Sequence, residues 1–380
     1  MRRLLVLALA LVWPAAVSAQ ASIFGIRGPG NPGRPYSTRA TATAGAFSLF
    51  DGESALGEGS LGYVGVTTGT FTSVGDFRST STFAGDADVR TVRFPQTMIA
   101  TPFYNGRFIA GVSASLYTDR DYAITTVDTL QLFDKDVVQL DSIGSRGSLN
   151  DFRFAVAYRG LPQTTVGIGL HFITGAARQT LVRRFISDSS FAAVSQRSEV
   201  AASGLGLSIG ATRSFSQRLW LGGVIRKDFR ASIDVDSVDA GSFALPWTFA
   251  GGVRYRLSPR FDVAAQALYR TWSSVDSFLV AGGAPGAGNT IDLSAGTELV
   301  RSAMRPGHLP LRLGVRYATL PYKSVGGAQP YEFAITGGTA LRFARDRAGL
   351  DFALDKLWRK DDQGRTENAW LIYVGASIRP

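Results

Sequence analysis

The sequence predicts an all-β chain: a closed transmembrane antiparallel β-barrel of about fourteen strands, with a short N-terminal segment folded into its lumen. Three observations carry that expectation. The chain opens with an export leader, its apolar residues recur with a period of two, and no apolar run is long enough to cross a membrane as a helix.

The leader comes first. Met1-Arg2-Arg3 is cationic, Leu4 to Val12 is an unbroken apolar run, and Pro14 interrupts it. Val17-Ser18-Ala19 then supplies the small residues that a signal peptidase needs, so residues 1–19 are expected to be a cleaved signal peptide. The run is too short to span a bilayer, which takes roughly 20 residues. The remainder of the 380 residues has no linker, charge block or change of texture, and reads as one large β unit.

Composition narrows the function classes. With no cysteine there is no disulfide framework, and two histidines, His171 and His308, leave little for a zinc or haem site; a carboxylate-only metal site stays open but unsupported, and no cofactor is expected. The formal charge is +10, which falls to +8 once Arg2 and Arg3 leave with the leader. A nucleic-acid partner needs cations clustered on one face. Here arginines are dispersed along the whole chain, and most sit singly between apolar residues. That suits a wet lumen or a rim among anionic headgroups, and no nucleic-acid partner is expected.

The alternation is plainest in Leu309-Pro310-Leu311-Arg312-Leu313-Gly314-Val315-Arg316-Tyr317, where each odd position is apolar. Successive strand residues face opposite sides of a sheet, so one face is greasy and the other polar or small. Phe152, Phe154, Val156 and Tyr158 repeat the pattern, as do Val166, Ile168, Leu170 and Phe172, and Val253, Tyr255 and Leu257. A soluble sandwich also alternates. The barrel is favoured because aromatic residues (Tyr117, Tyr158, Phe172, Tyr255, Tyr269, Tyr317, Tyr373) mark strand ends, as at membrane interfaces, and because the opposite face is rich in Gly, Ser and Arg.

Candidate strands fall at 62–74, 83–95, 106–118, 120–141, 148–159, 163–187, 192–213, 217–237, 245–257, 260–276, 307–319, 331–345, 348–360 and 366–379. The links Arg159-Gly160-Leu161-Pro162-Gln163, Leu257-Ser258-Pro259-Arg260 and Ala344-Arg345-Asp346-Arg347 are turn-like and belong at the periplasmic end. Residues 280–303, with a Gly-rich run at 282–288, read as a long extracellular loop, with room for strand extensions above the membrane. The chain thus divides into a leader (1–19), an N-terminal plug (20–61) and a barrel (62–380). Within the plug, 29–35 is too rich in Pro and Gly to be regular, while Ala40 to Phe50 suits a short helix.

That plug carries a resemblance. Arg39-Ala40-Thr41-Ala42-Thr43-Ala44-Gly45-Ala46-Phe47-Ser48-Leu49-Phe50-Asp51, then Ser54-Ala55 and Leu61, is similar to the hatch of the FadL-type fatty-acid and hydrocarbon transporters, including the PorV-like branch. Leu245-Pro246-Trp247, Gly251-Gly252-Val253-Arg254-Tyr255 and Leu350-Asp351-Phe352-Ala353 are similar in style. There are two departures. Glu58-Gly59-Ser60 stands where the family usually has Asn-Pro-Ala, and the chain ends Ile378-Arg379-Pro380 without a final aromatic.

The resemblance implies an outer-membrane channel for passive uptake of hydrophobic or amphipathic small molecules, such as long-chain fatty acids, with release through a lateral opening. Phe47, Leu49 and Phe50 would line the ligand site from the hatch side, and Arg312 or Arg316 would hold a carboxylate head. Implied partners are outer-membrane lipid and lipopolysaccharide, the hydrophobic ligand, and the barrel-assembly machinery during insertion. Two alternatives stay open: a PorV-like barrel that docks secreted proteins, and a general diffusion porin.

Other motifs carry less. Gly28-Pro29-Gly30-Asn31-Pro32-Gly33 matches a dinucleotide fingerprint literally, but its prolines forbid the helix start that the motif needs. His171, on the polar face of a strand, has no serine near it in sequence, and His308 lies in a turn-like Arg305-Pro306-Gly307 context. Neither gives a nucleophile–base pair, so no catalysis is expected. Asp351 and Asp355, with Lys356 beside them, are expected to pair with luminal arginines such as Arg254 or Arg312.

Overall fold

The computed structural model describes residues 22–82, 85–132, 135–186, 192–302 and 309–380. The expected signal peptide and His308 lie outside the described residues. Fourteen strands close a ring, each antiparallel to its neighbours. They are β1 (Thr68–Thr82), β2 (Gly85–Phe103), β3 (Phe108–Asp119), β4 (Lys135–Leu161), β5 (Thr164–Phe185), β6 (Val194–Ser214) and β7 (Leu219–Val235). The ring continues through β8 (Trp247–Ser258), β9 (Phe261–Arg270), β10 (Thr290–Leu299), β11 (Leu311–Thr319), β12 (Tyr331–Phe343), β13 (Ala348–Lys360) and β14 (Thr366–Ile378). Closure is made by β14 on β1, with Trp370 opposite Phe77. A closed ring leaves few backbone groups for lipid to satisfy.

The burial is inside-out. On β11, Leu311, Leu313, Val315 and Tyr317 are exposed on the outer wall, while Arg312 and Arg316 between them are buried. Hydrocarbon is the solvent that such a wall fits. No helix among the described residues is long and apolar enough to cross a membrane.

Two sequence expectations need correction, and they compensate in the count. Residues 120–141 do not form one wall strand. Tyr122–Leu132 is an outer arm that pairs only with the upper part of β4, whereas β4 runs unbroken through 135–161 and absorbs the candidate at 148–159. Conversely, 280–303 is not merely a loop with extensions above the membrane, because Thr290–Leu299 is the wall strand β10. Its Ile291, Leu293 and Leu299 face out while Asp292, Ser294 and Glu298 face in, so the alternation was present beside the glycine run. A second arm, Val238–Ala244, pairs with the top of β7.

The wall is lopsided. β4 to β7 are 27, 22, 21 and 17 residues long, against 10 and 9 for β10 and β11. Close turns at 104–107, 162–163, 259–260 and 344–347 share one end of the barrel, and both arms rise from the other.

The segment from Ser22 to Val64 occupies the lumen. A one-turn helix, α1 (Thr38–Thr41), starts at Ser37, whose Oγ accepts from the Ala40 amide at 3.0 Å and donates to Asp51 at 2.5 Å. Ala40, Ala42, Ala44 and Ala46 are wholly buried. The inner wall is bare where this chain lies against it. A Cβ on Gly314 would sit 2.3 Å from the Thr43 carbonyl carbon, and one on Gly375 would sit 2.4 Å from Thr38 Oγ1. Luminal glycine is therefore room for a backbone.

Candidate functional site

At the arm-bearing end, the tall strands enclose an apolar cavity of about 310 Å³. Its walls include Leu149 and Ala177 of β4 and β5, Val200 and Ala202 of β6, Ile233 and Val235 of β7, and Phe243 of the second arm. Gly28-Pro29 and a short helix, α2 (Asp276–Ala281), close over it with Phe278 and Leu279. The volume lies at the small end of the ligand-pocket range. One cation stands among these groups. Arg120 has no ion-pair partner among the described residues, and its Nε is buried without a hydrogen bond.

An aromatic layer floors this region. Tyr117, Trp272 and Tyr322 pack in sequence, with ring centroids 6.4 and 6.2 Å apart. Tyr117 turns inward because β3 carries an irregularity between Leu116 and Thr118 against β4, and its hydroxyl donates to Asp228 at 3.0 Å. It is not a girdle residue, and neither is Tyr373, which also faces the lumen. In the loop after β11, burial pushes the Tyr322 phenol well above its usual range.

Beyond this layer lies a smaller cavity of about 90 Å³ lined by Arg34, Tyr36, Arg93, Arg316, Arg359 and Tyr373, among others. Here the charges are paired. Glu332 accepts from Arg34, Arg316 and Arg359 at 2.9, 2.9 and 2.8 Å. Arg34 also reaches Asp292 at 2.9 Å, Arg359 reaches Glu367 at 2.9 Å, and Arg78 bonds Glu367 and Asp76. Such forks suit guanidinium rather than ammonium. The same cavity borders a break in the wall. Pairing of β2 with β3 stops at Gln96 opposite Ser115, and the last residues of β3, Thr118 and Asp119, pair instead with Pro32 and Asn31. Arg93 crosses the break to Asp119.

The residues singled out from sequence are distributed as follows. Leu49 and Phe50 pack with Tyr36, Ala40, Leu56 and Val224 against the wall, and Phe47 lies under the Arg254 guanidinium, 5.7 Å from it. None of the three lines either cavity. Arg312 is held by Glu298 and Asp351, both at 2.7 Å, while Arg316 borders the smaller cavity. Asp351 thus pairs with Arg312 and Arg342, and Asp355 with Arg316, but Lys356 points outward. Arg120 and the small residues of the mouth cavity escaped notice because no local pattern marks them.

His171 does have a serine beside it once the sheet forms, contrary to the expectation from sequence. Its Nε2 lies 2.8 Å from Ser208 Oγ and its Nδ1 lies 2.9 Å from Asp151 Oδ1. The register of β4, β5 and β6 brings together residues that are 37 and 20 positions from the histidine. The spacing is that of a nucleophile and its base, yet the setting is not. Ser208 donates to Glu58 Oε1 at 2.7 Å, and a carboxylate there opposes a developing oxyanion. Arg153 sits on the other side of Glu58 at 3.5 Å. The cluster fastens the N-terminal segment to the wall.

These features define a class: a fourteen-strand barrel filled by its own N-terminal segment, with an apolar mouth and a break in one seam. No family model matches the sequence, and no curated protein matches it. Solved structures do. A FadL homologue from Pseudomonas aeruginosa aligns over 92% of this chain and 99% of its own, with TM-score 0.65 and 13% identity. The Pseudomonas putida toluene transporter TodX aligns over 91% and 99%, with TM-score 0.58 and 12% identity. The CymD monoaromatic hydrocarbon channel aligns over 92% and 98%, with TM-score 0.56 and 12% identity. The fold is that of the FadL-type transporters.

Proposed function

We propose that this chain is an outer-membrane channel for passive uptake of hydrophobic or amphipathic small molecules, fatty acid-like compounds among them. The observation that carries the proposal is the apolar mouth cavity with, at its edge, the Arg120 guanidinium, which has no ion-pair partner among the described residues. Greasy walls with one placed polar group suit an amphipathic guest. The solved structures with this fold include a toluene transporter and a monoaromatic hydrocarbon channel, which supports the same class of cargo.

A solute would enter beside Arg120, pass the layer of Tyr117, Trp272 and Tyr322, and leave sideways at the break between β2 and β3. In this reading residues 22–64 are the hatch. Leu49, Phe50 and Arg312 hold it in place, and Arg316, which borders the inner cavity, would meet a cargo carboxylate only by exchanging it for Glu332 or Asp355. The export leader and the barrel-assembly machinery deliver the chain. No catalytic step is part of the proposal.

A general porin needs an open lumen, and this one is packed with the N-terminal segment, which counts against that alternative. Proteoliposomes holding the full chain should admit a labelled fatty acid and exclude a labelled sugar. Ala202→Trp, which fills the mouth cavity, should cut fatty-acid entry about tenfold while leaving the folded band on a gel unchanged. Sugar leakage without fatty-acid entry sinks the proposal. Co-purification with secreted proteins, with no uptake, points to the docking alternative.

A further inference from the structure

The chain holds only five lysines, Lys135, Lys227, Lys323, Lys356 and Lys360, against 35 arginines. The buried luminal ion pairs described above all use arginine. Three of the lysines, Lys227, Lys356 and Lys360, stand on the outer wall instead. Lys356 and Lys360 lie on the outward face of β13. The Lys356 ammonium sits 4.8 Å from the ring of Trp370 and 5.4 Å from that of Trp358. Lys227 repeats the arrangement on β7, 5.0 Å from the ring of Trp247.

The level of Lys356 matters. Below it the outward side chains are Leu354, Phe352 and Leu350 on β13, and Ile372 and Val374 on β14. At and above it come Trp370, Trp358, Asn368 and Lys360. The row marks where hydrocarbon gives way to headgroups, the only depth at which a lipid-facing cation is cheap. Along the same row Lys356 opposes Trp370, Trp370 opposes Phe77, and Phe77 opposes Arg90, whose guanidinium lies 5.9 Å from the Phe77 ring.

On the four strands that carry the strip, the outward charge is of one sign among the described residues. Among the described residues of β12, β13, β14 and β1, no acidic side chain faces outward. Glu332, Asp351, Asp355, Glu367 and Asp76 all face the lumen, where arginines hold them. Lys356 therefore has aromatic faces but no carboxylate.

We propose that this strip, centred on Lys356 with Lys360 above it, is a docking site for the phosphoryl groups of lipopolysaccharide in the leaflet at the arm-bearing end. The indoles orient the ammonium and cover the acyl chains next to it. The ammonium meets the phosphate, and Asn368 supplies a neighbouring donor. The inference rests on the outer-membrane reading, but not on transport.

The test is native mass spectrometry of the detergent-purified full chain after exposure to lipopolysaccharide, dephosphorylated lipopolysaccharide or inorganic phosphate. The wild type should retain lipopolysaccharide and release the dephosphorylated form. Lys356→Gln and Lys360→Gln should each lower retention about fivefold, and Lys356→Arg should restore it. Equal retention by the Lys356→Gln/Lys360→Gln double variant, with the folded band intact, overturns the proposal. So does displacement of the lipid by millimolar inorganic phosphate, which assigns the lysines to a free anion. A wild type that stays monodisperse without detergent fails the membrane reading instead, and that outcome is separable from the other two.

Discussion

The upper lumen of β4 to β7 and the lumen of β10 to β14 with β1 are built from opposite materials. The first presents Leu149, Ala177, Val200, Ala202 and Ile233 around open space. The second presents Arg312, Arg316, Arg359, Glu298, Glu332 and Glu367, nearly all satisfied by one another or by Arg34 and Arg39 of the N-terminal segment. The difference separates two tasks. A buried ion network is intolerant of losing one partner, so it holds a part in one place. An apolar cavity without directional partners holds nothing in place and accepts varied guests.

Glu332→Gln attacks the charged side at its centre and should have the largest effect. It leaves Arg34, Arg316 and Arg359 short of a shared carboxylate, and the loss should reach about 3–5 kcal/mol. The urea midpoint, followed by tryptophan fluorescence in micelles, should fall accordingly. An unchanged midpoint would mean the network is not a clamp.

Gly314→Val tests the same side sterically, because the new Cβ would enter the Thr43 backbone. The cost should be about 1–3 kcal/mol, shown as new protease cleavage within residues 22–64 and raised ion conductance in planar bilayers. Continued protection there would show that the segment can move aside without leaving.

The smallest effect is expected on the apolar side. Arg120→Gln should slow entry of a fatty acid about tenfold, the value of a hydrogen bond to a charged group, and leave toluene entry unaltered. Equal losses for both cargoes would remove Arg120 from any role in recognising an acid.

Much of the barrel was legible because a wall between lipid and lumen must alternate. The exceptions are instructive. β10 alternates as clearly as its neighbours, yet a glycine run before it disguised its start. Tyr122–Leu132 alternates too weakly to say whether it joins the wall or stands beside it, and only pairing with β4 decides that.

The candidate site was less legible, for two physical reasons. Ser208, His171 and Asp151 meet through sheet register, which sequence spacing does not report. The mouth cavity is assembled from four strands, an arm, a short helix and Gly28-Pro29, so it encloses a space that no single residue advertises. The arginines fared better. Arg312 and Arg316 were expected in the lumen and lie there, although carboxylates of the chain itself already occupy them.

Asn31 and Pro32 do more than connect one part of the interior to another. They take the edge of β3 that β2 relinquishes, and the next amide, that of Gly33, donates to the Tyr117 carbonyl at 2.7 Å. In the route proposed above, the luminal segment and the lateral exit would meet at this one contact. Pulling the N-terminal strap away from this rim would bare the Thr118–Asp119 edge in the same movement, so displacement of the segment and exposure of that edge are one event.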